Sequence, residues 1–202
     1  MSIKTRAKYL EPGIFYIEDF LEPDELKALQ DFCTRSPKWD SVLGWGEESL
    51  WTENTRHTAG DQAATDAVYK INLAMAELVN SPIAELRPNY TVNRFRPISN
   101  PPIEGSTFWD DDEWSMGPHF DSDYGPLDAL STIEHGVLFY INDDYEGGDV
   151  VYTNKGITFK PKANTILVHG GSEEYTHGVK KVTSGERYTL STFAFTPGSI
   201  YL

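Results

Sequence analysis

Three side chains in the second half of the chain have the types and spacing needed to grip a divalent metal. In Gly117-Pro118-His119-Phe120-Asp121 an imidazole and a carboxylate stand two residues apart. On an extended segment both leave the same face, so both can reach one ion. His177 is a candidate third ligand, because it follows one strand-like run and precedes another. Two imidazoles and one carboxylate on one side of an ion leave open coordination positions, the ligand set that suits redox chemistry at iron(II). A His-x-Asp pair alone arises easily in a chain with 31 acidic residues, so the assignment depends on what accompanies it.

Ten residues beyond His177, after the turn-forming Thr183-Ser184-Gly185, Arg187 opens the run Arg187-Tyr188-Thr189-Leu190-Ser191-Thr192-Phe193. The two-residue period of a strand puts Arg187, Thr189, Ser191 and Phe193 on one face. A guanidinium fork with a hydroxyl two residues on can bind a carboxylate through several charge-assisted hydrogen bonds. The plain alternative is the solvent face of an edge strand. The upstream histidine and the His-x-Asp pair favour the carboxylate.

These residues need a scaffold, and the chain supplies helices first and strands afterwards. Residues 13–20 read as a short strand, and Glu22-Pro23-Asp24-Glu25 opens a helix to Arg35, with proline and acids where a first turn tolerates them. In residues 61–79 the apolar Ala64, Val68, Ile71, Met75 and Leu78 recur every three or four positions, which predicts a second, longer helix. Beyond Pro88 the chain breaks into short runs of branched and aromatic residues between Gly, Pro, Asn and Asp. Strands are expected over 90–96, 137–142, 149–153, 165–169 and 187–195. Residues 98–116, with Pro101-Pro102 and an acidic run between Trp109 and Trp114, read as a long loop. The order argues for an α+β domain in which helices brace one face of a β-sandwich or barrel.

Composition sets the outer bounds. At 202 residues, with 39% hydrophobic, 24% charged and 13% aromatic residues, the chain is expected to fold as a single domain spanning 1–202. Its net charge of −14 would repel a phosphate backbone, so a nucleic-acid substrate is disfavoured. Cys33 is the only cysteine, which excludes an internal disulfide and fits a reducing cytoplasm. The first residues, MSIKTRAKYLEPG, lack the apolar core of a signal peptide. No stretch is long and apolar enough for a membrane span, so a soluble, unprocessed protein with no membrane partner is expected.

From Tyr90 to Phe195 the chain resembles the 2-oxoglutarate and iron(II) dioxygenase superfamily, in its prolyl 4-hydroxylase-like branch. The likeness runs through His119-Phe120-Asp121, Phe139-Tyr140-Ile141-Asn142-Asp143, Glu146-Gly147-Gly148-Asp149, Phe159-Lys160-Pro161-Lys162, His177-Gly178-Val179 and Gly185-Glu186-Arg187-Tyr188-Thr189. It implies a double-stranded β-helix (jelly-roll) core over about 89–197, braced by an N-terminal helical support over about 1–88. It also implies iron(II) held by His119, Asp121 and His177, with 2-oxoglutarate and dioxygen as co-substrates and ascorbate as a reductant. Arg187 matches the basic residue that pairs with the far carboxylate of 2-oxoglutarate, and Tyr140 the tyrosine that assists there. Thr189 matches a hydroxyl position, and Val179 an apolar residue lining the co-substrate.

The resemblance also ranks the remaining candidates. His169 competes with His177 but lies 18 residues before Arg187 rather than ten, so it reads as a buried, supporting residue. His57 and His135 read as surface or loop residues, and Asp123 ranks behind Asp121. Phe95 stands where many relatives carry a tyrosine, and Phe193 where several carry tryptophan, which reshapes the pocket. The activity implied is hydroxylation of an unactivated C–H bond, most closely that of a prolyl residue in a protein or peptide. A free amino acid or other small molecule is the second substrate class. From another class altogether, a non-catalytic jelly-roll or cupin-like metal-binding module remains open.

Overall fold

Two antiparallel sheets lie face to face, and the alternation of side chains along their strands decides what is packed between them and what outside. The computed structural model describes residues 3–35, 48–51, 62–79, 91–97, 113–123 and 133–195. In chain order these form β1 (Lys8–Glu11), β2 (Ile14–Ile17), α1 (Pro23–Arg35), β3 (Glu48–Trp51), α2 (Gln62–Val79), β4 (Thr91–Phe95) and β5 (Trp114–His119). Then follow β6 (Ile133–Tyr140), β7 (Glu146–Gly147), β8 (Val150–Tyr152), β9 (Ile157–Phe159), β10 (Thr165–Gly170), β11 (His177–Lys180), β12 (Val182–Ser184) and β13 (Arg187–Phe195). The larger sheet has the order β1-β2-β10-β6-β13-β4-β3, the smaller β5-β11-β8-β9, and β12 pairs with β7 as a separate ribbon. Neighbours distant in sequence, such as β2 beside β10 and β5 beside β11, give the double-stranded β-helix (jelly-roll) core.

Along the larger sheet one residue in two faces outward. Val92, Val137, Phe139, Ile166, Val168 and Leu190 lie in one apolar cluster with Leu29, Phe32 and Cys33 of α1 and Ile71 and Ala74 of α2. Leu29, Phe32 and Cys33 sit at the three- and four-residue spacing that makes one helical stripe. Pro23 opens α1 where its missing N–H costs nothing, and the Glu25 carboxylate accepts the Glu22 backbone N–H at 2.8 Å. Glu25 also pairs with Lys70 of α2 at 2.7 Å, tying the two helices together. The inward residues form a second cluster between the sheets, where Ile14, Tyr140 and Leu167 meet Val150 and Tyr152 of the smaller sheet.

The structure departs from the sequence reading in places. The N-terminal part carries three strands as well as two helices, and β1 and β2 extend the larger sheet beyond β10. The expected 98–116 loop lies outside the described residues as far as 112, but Trp114, Ser115 and Met116 already belong to β5. Cross-strand anchoring explains this, since Ser115 Oγ accepts the Val182 N–H at 3.0 Å and the Lys180 ammonium lies 3.9 Å from a Trp114 ring centre. His135 is not a loop residue but a partly buried member of β6, opposite Gly170 of β10. His57 lies outside the described residues. No helix among the described residues is long and apolar enough to cross a membrane.

Candidate active site

Strand register brings the two histidines together. His119 ends β5, His177 begins β11, and the two are direct antiparallel partners, with ring centres 4.6 Å apart. Each ring is held by its own backbone. His119 Nδ1 lies 2.8 Å from the Gly117 carbonyl and His177 Nδ1 lies 3.0 Å from the Tyr175 carbonyl. A carbonyl only accepts, so Nδ1 carries the proton in both rings and Nε2 is the nitrogen with the lone pair that a metal takes.

Asp121 joins them in a different way from the extended arrangement expected. After Phe120 the chain leaves the strand and turns into a short 3-10 segment, Asp121–Asp123. The Ser122 N–H donating to the Gly171 carbonyl at 3.0 Å fixes that turn. Asp121 Oδ1 then lies 4.0 Å from His119 Nε2, and the ligand atoms of His119, Asp121 and His177 all fall within 4.8 Å of one another. His169 stands directly behind, with Nε2 3.3 Å from Asp121 Oδ2 and its ring centre 4.1 Å from that of His177. Gly136, its partner on β6, leaves the room for this approach, because a Cβ there would lie 2.0 Å from Asp121 Oδ2 and 2.4 Å from His169 Nε2.

Burial sets the protonation of this cluster. It pushes the Asp121 carboxyl up to about 7. It also pushes His169 down to about 3, helped by His119 and His135, and His177 well down, helped by His169 and His119. Without metal, His169 and His177 are neutral, and the Asp121 carboxyl holds its proton to near neutrality.

Arg187 lies in the same cavity as the three candidate ligands. It is 1% exposed, opposite Phe95 on β4, with its guanidinium carbon 5.3 Å from the Phe95 ring centre and 5.2 Å from that of Tyr140. Its Nε and Nη2 have no hydrogen-bond partner, nor has the Tyr140 hydroxyl. Tyr140 lies opposite Thr189, and burial raises its phenol while the Arg187 charge opposes the rise. Thr189 and Val179 both line the cavity, together with Asn93, Phe95, Ser191 and Phe193. Six of the seven residues named from sequence line this cavity, and the seventh, Tyr140, packs against Arg187. Gly136, which also lines the cavity, was not singled out. The signal for Gly136 was a lone glycine inside a strand-like run, the mark of a close approach.

The donor set fits an iron(II) ion with a dicarboxylate beside it. Three ligand atoms converge, Asp121 Oδ2 is buried without a hydrogen bond, and a buried guanidinium lacks an acceptor. Two imidazoles and one carboxylate on one side of a metal, with positions left open, are the ligand set found in non-haem iron(II) oxygenases. Residues 111–195 match the family described as the 2OG-Fe(II) oxygenase superfamily, a segment that holds all three candidate ligands and Arg187. The description of that family gives iron(II) and 2-oxoglutarate as metal and co-substrate, and the donor set here fits both. Over 78 residues the chain is 36% identical to prolyl 3-hydroxylase 2 of Rattus norvegicus, a match covering 36% of this chain and 11% of that protein. A viral collagen prolyl hydroxylase from Paramecium Bursaria Chlorella virus-1, solved as a 2OG complex, is 16% identical over 91% of this chain and 96% of that one, with a TM-score of 0.62. A Pseudomonas putida prolyl-4-hydroxylase is 17% identical over 92% and 94%, with a TM-score of 0.63. At these identities the structural likeness establishes the fold.

Proposed function

We propose that this chain is an iron(II)- and 2-oxoglutarate-dependent hydroxylase acting on prolyl residues of a protein or peptide. The observation that carries the reading is the shared cavity, in which His119, Asp121 and His177 converge while Arg187 waits without an acceptor. With metal and keto-acid bound, such a centre couples decarboxylation of 2-oxoglutarate to succinate with insertion of one oxygen atom from dioxygen into a C–H bond.

The chain's own residues supply position and dryness. Nε2 of His119 and His177 and a carboxylate oxygen of Asp121 hold one side of the metal. Arg187 fixes the far carboxylate of 2-oxoglutarate by charge-assisted hydrogen bonds, with the hydroxyls of Tyr140 and Thr189 beside it. Val179 and Phe193 wall the cavity and exclude water. A non-catalytic module has no use for a buried, unpaired guanidinium, which destabilises the fold unless a ligand answers it. The prolyl assignment is supported by the names of several relatives, among them a prolyl 3-hydroxylase and a prolyl-4-hydroxylase. We place the protein in a reducing cytoplasm, where a lone buried thiol such as Cys33 persists.

Anaerobic protein given iron(II) and 2-oxoglutarate is expected to develop a visible charge-transfer band. Admitting oxygen, with ascorbate as reductant, should then yield succinate. Proline-containing peptides and free proline, compared side by side, identify the substrate by the mass of one added oxygen atom. Mass gain on free proline alone moves the assignment to small molecules, and gain on a residue other than proline removes the prolyl reading. Full turnover by His119→Ala would defeat the assignment to this superfamily's chemistry.

A further inference from the structure

Beside the metal cluster lie four buried polar atoms that make no hydrogen bond: Arg187 Nε and Nη2 and the hydroxyls of Tyr140 and Tyr145. All four can donate, and the guanidinium cannot give up its proton. The phenol oxygens can answer the guanidinium in part, but phenols turned that way leave their own O–H groups without an acceptor, which favours an anion entering among them. A carboxylate offers four lone-pair positions on two oxygens, which equals the number of waiting donors.

Tyr145 was not among the residues picked out from sequence, yet it is 5% exposed and packs with Phe95 and Val182, with Met116 against them. It runs alongside Arg187 over Gly148, where an added Cβ would lie 2.8 Å from Arg187 Cδ and 2.9 Å from Tyr145 Cε2. Gly148 also has φ +69°, so neither its backbone nor its space admits another side chain easily. Burial raises the Tyr145 phenol, and Arg187 acts on it in the opposite sense, as it does on Tyr140. Both phenols are therefore within the reach of one guanidinium.

We propose that Tyr145 is a second phenol donor to the far carboxylate of the keto-acid co-substrate, supplying from the β6–β7 connection the hydroxyl that Phe95 cannot. The inference rests on the reading of this cavity as a 2-oxoglutarate site. It makes the anion subsite a clamp of one guanidinium and two phenols. Tyr140 comes from the larger sheet, and Tyr145 follows it by five positions in sequence.

The test is a cycle that truncates the residue and the ligand separately. Manganese(II)-loaded wild type and Tyr145→Phe are titrated calorimetrically with 2-oxoglutarate and with 2-oxopentanoate, which ends in a methyl group where 2-oxoglutarate has its far carboxylate. Tyr145→Phe keeps the ring and its packing, and thermal melting checks that the variant is folded. It should bind 2-oxoglutarate roughly ten- to a hundredfold more weakly, the loss expected for one hydrogen bond to a charge. Its affinity for 2-oxopentanoate and for manganese(II) should equal that of wild type. Unchanged affinity for 2-oxoglutarate overturns the proposal, and so does an equal loss for both keto-acids, which would assign the ring a packing role. Wild type that takes up manganese(II) but no 2-oxoglutarate overturns the underlying site reading, a result distinguishable from failure at Tyr145 alone.

Discussion

The two faces of the larger sheet are built from the same strands and follow opposite rules. Outward, Phe139, Val137, Ile166, Val168 and Leu190 are sealed under α1 and α2 in an apolar cluster. Inward, at one end of the same strands, Arg187 and Tyr140 keep unpartnered donors, and Gly136 stands where the outer face would place a large side chain. The difference teaches where each requirement is met. The outer face supplies stability by burial, and that surplus lets the inner face hold a charge and open polar atoms that favour a ligand over the empty fold.

The comparison breaks most readily with one truncation on each face. Phe139→Ala should cost about 3–5 kcal/mol in urea unfolding, because a fully buried ring leaves a cavity. The fraction that remains folded should bind metal and 2-oxoglutarate normally. Arg187→Leu should show the reverse signature: 2-oxoglutarate affinity falling roughly a hundredfold or more, with the melting temperature of ligand-free protein unchanged or raised because an unpaired buried charge is gone. If Arg187→Leu unfolds the protein as Phe139→Ala does, the two faces are not doing different jobs.

A finer version uses neighbours in the chain. Gly136→Ala pushes a methyl against Asp121 Oδ2 and His169 Nε2, the ends of side chains that can yield. Metal affinity should fall roughly ten- to a hundredfold, as for other disturbances just behind a ligand, with little change in unfolding. Val137→Ala, one residue on and packed with α1 and α2 though it also borders the cavity, should lose about 1–3 kcal/mol of stability and disturb metal affinity less than Gly136→Ala does. A competition titration with a chromophoric chelator, run beside urea unfolding, reads both variants. Equal losses in both assays for both variants would show that strand β6 transmits packing across the sheet.

How far the sequence could be read follows the same division. The helices were legible because burial imposes a period of three to four along α1, and β13, buried on both faces, because it is a continuous run of branched and aromatic residues after a turn. His119, His177 and Arg187 could be named because they occupy strand positions. What escaped is set by contacts between distant segments. Asp121 reaches the cluster through a turn that the Gly171 carbonyl fixes, and no local rule reveals that bond. Trp114, Ser115 and Met116 looked like loop because acids and prolines precede them, whereas their partners lie on β11 and at Val182. His135 looked like a loop residue because Gly136 follows it, yet that glycine is there to admit Asp121 and His169.

The smallest expected effect concerns the proton that metal must displace. Burial holds the Asp121 carboxyl up near 7, whereas the same burial keeps His177 and His169 neutral. Manganese(II) binding should therefore release a proton from the Asp121 carboxyl, close to one near pH 6 and roughly a tenth of one at pH 8. Calorimetry in buffers of differing ionisation enthalpy measures this. Release that grows with pH, or none at pH 6, would contradict it. The signs for stability oppose one another. Asp121, with a folded pKa above its unfolded one, stabilises most below about 3.8, and that contribution is lost as pH rises through about 7. His169 and His177, with folded values below 6.5, contribute above it and lose that contribution as pH falls. Two groups outweigh one, so metal-free protein should lose stability through this cluster on acidification from pH 6.5. Bound metal, which needs the carboxylate and the neutral imidazoles alike, should steepen that loss, because protons then compete with it at all three ligands.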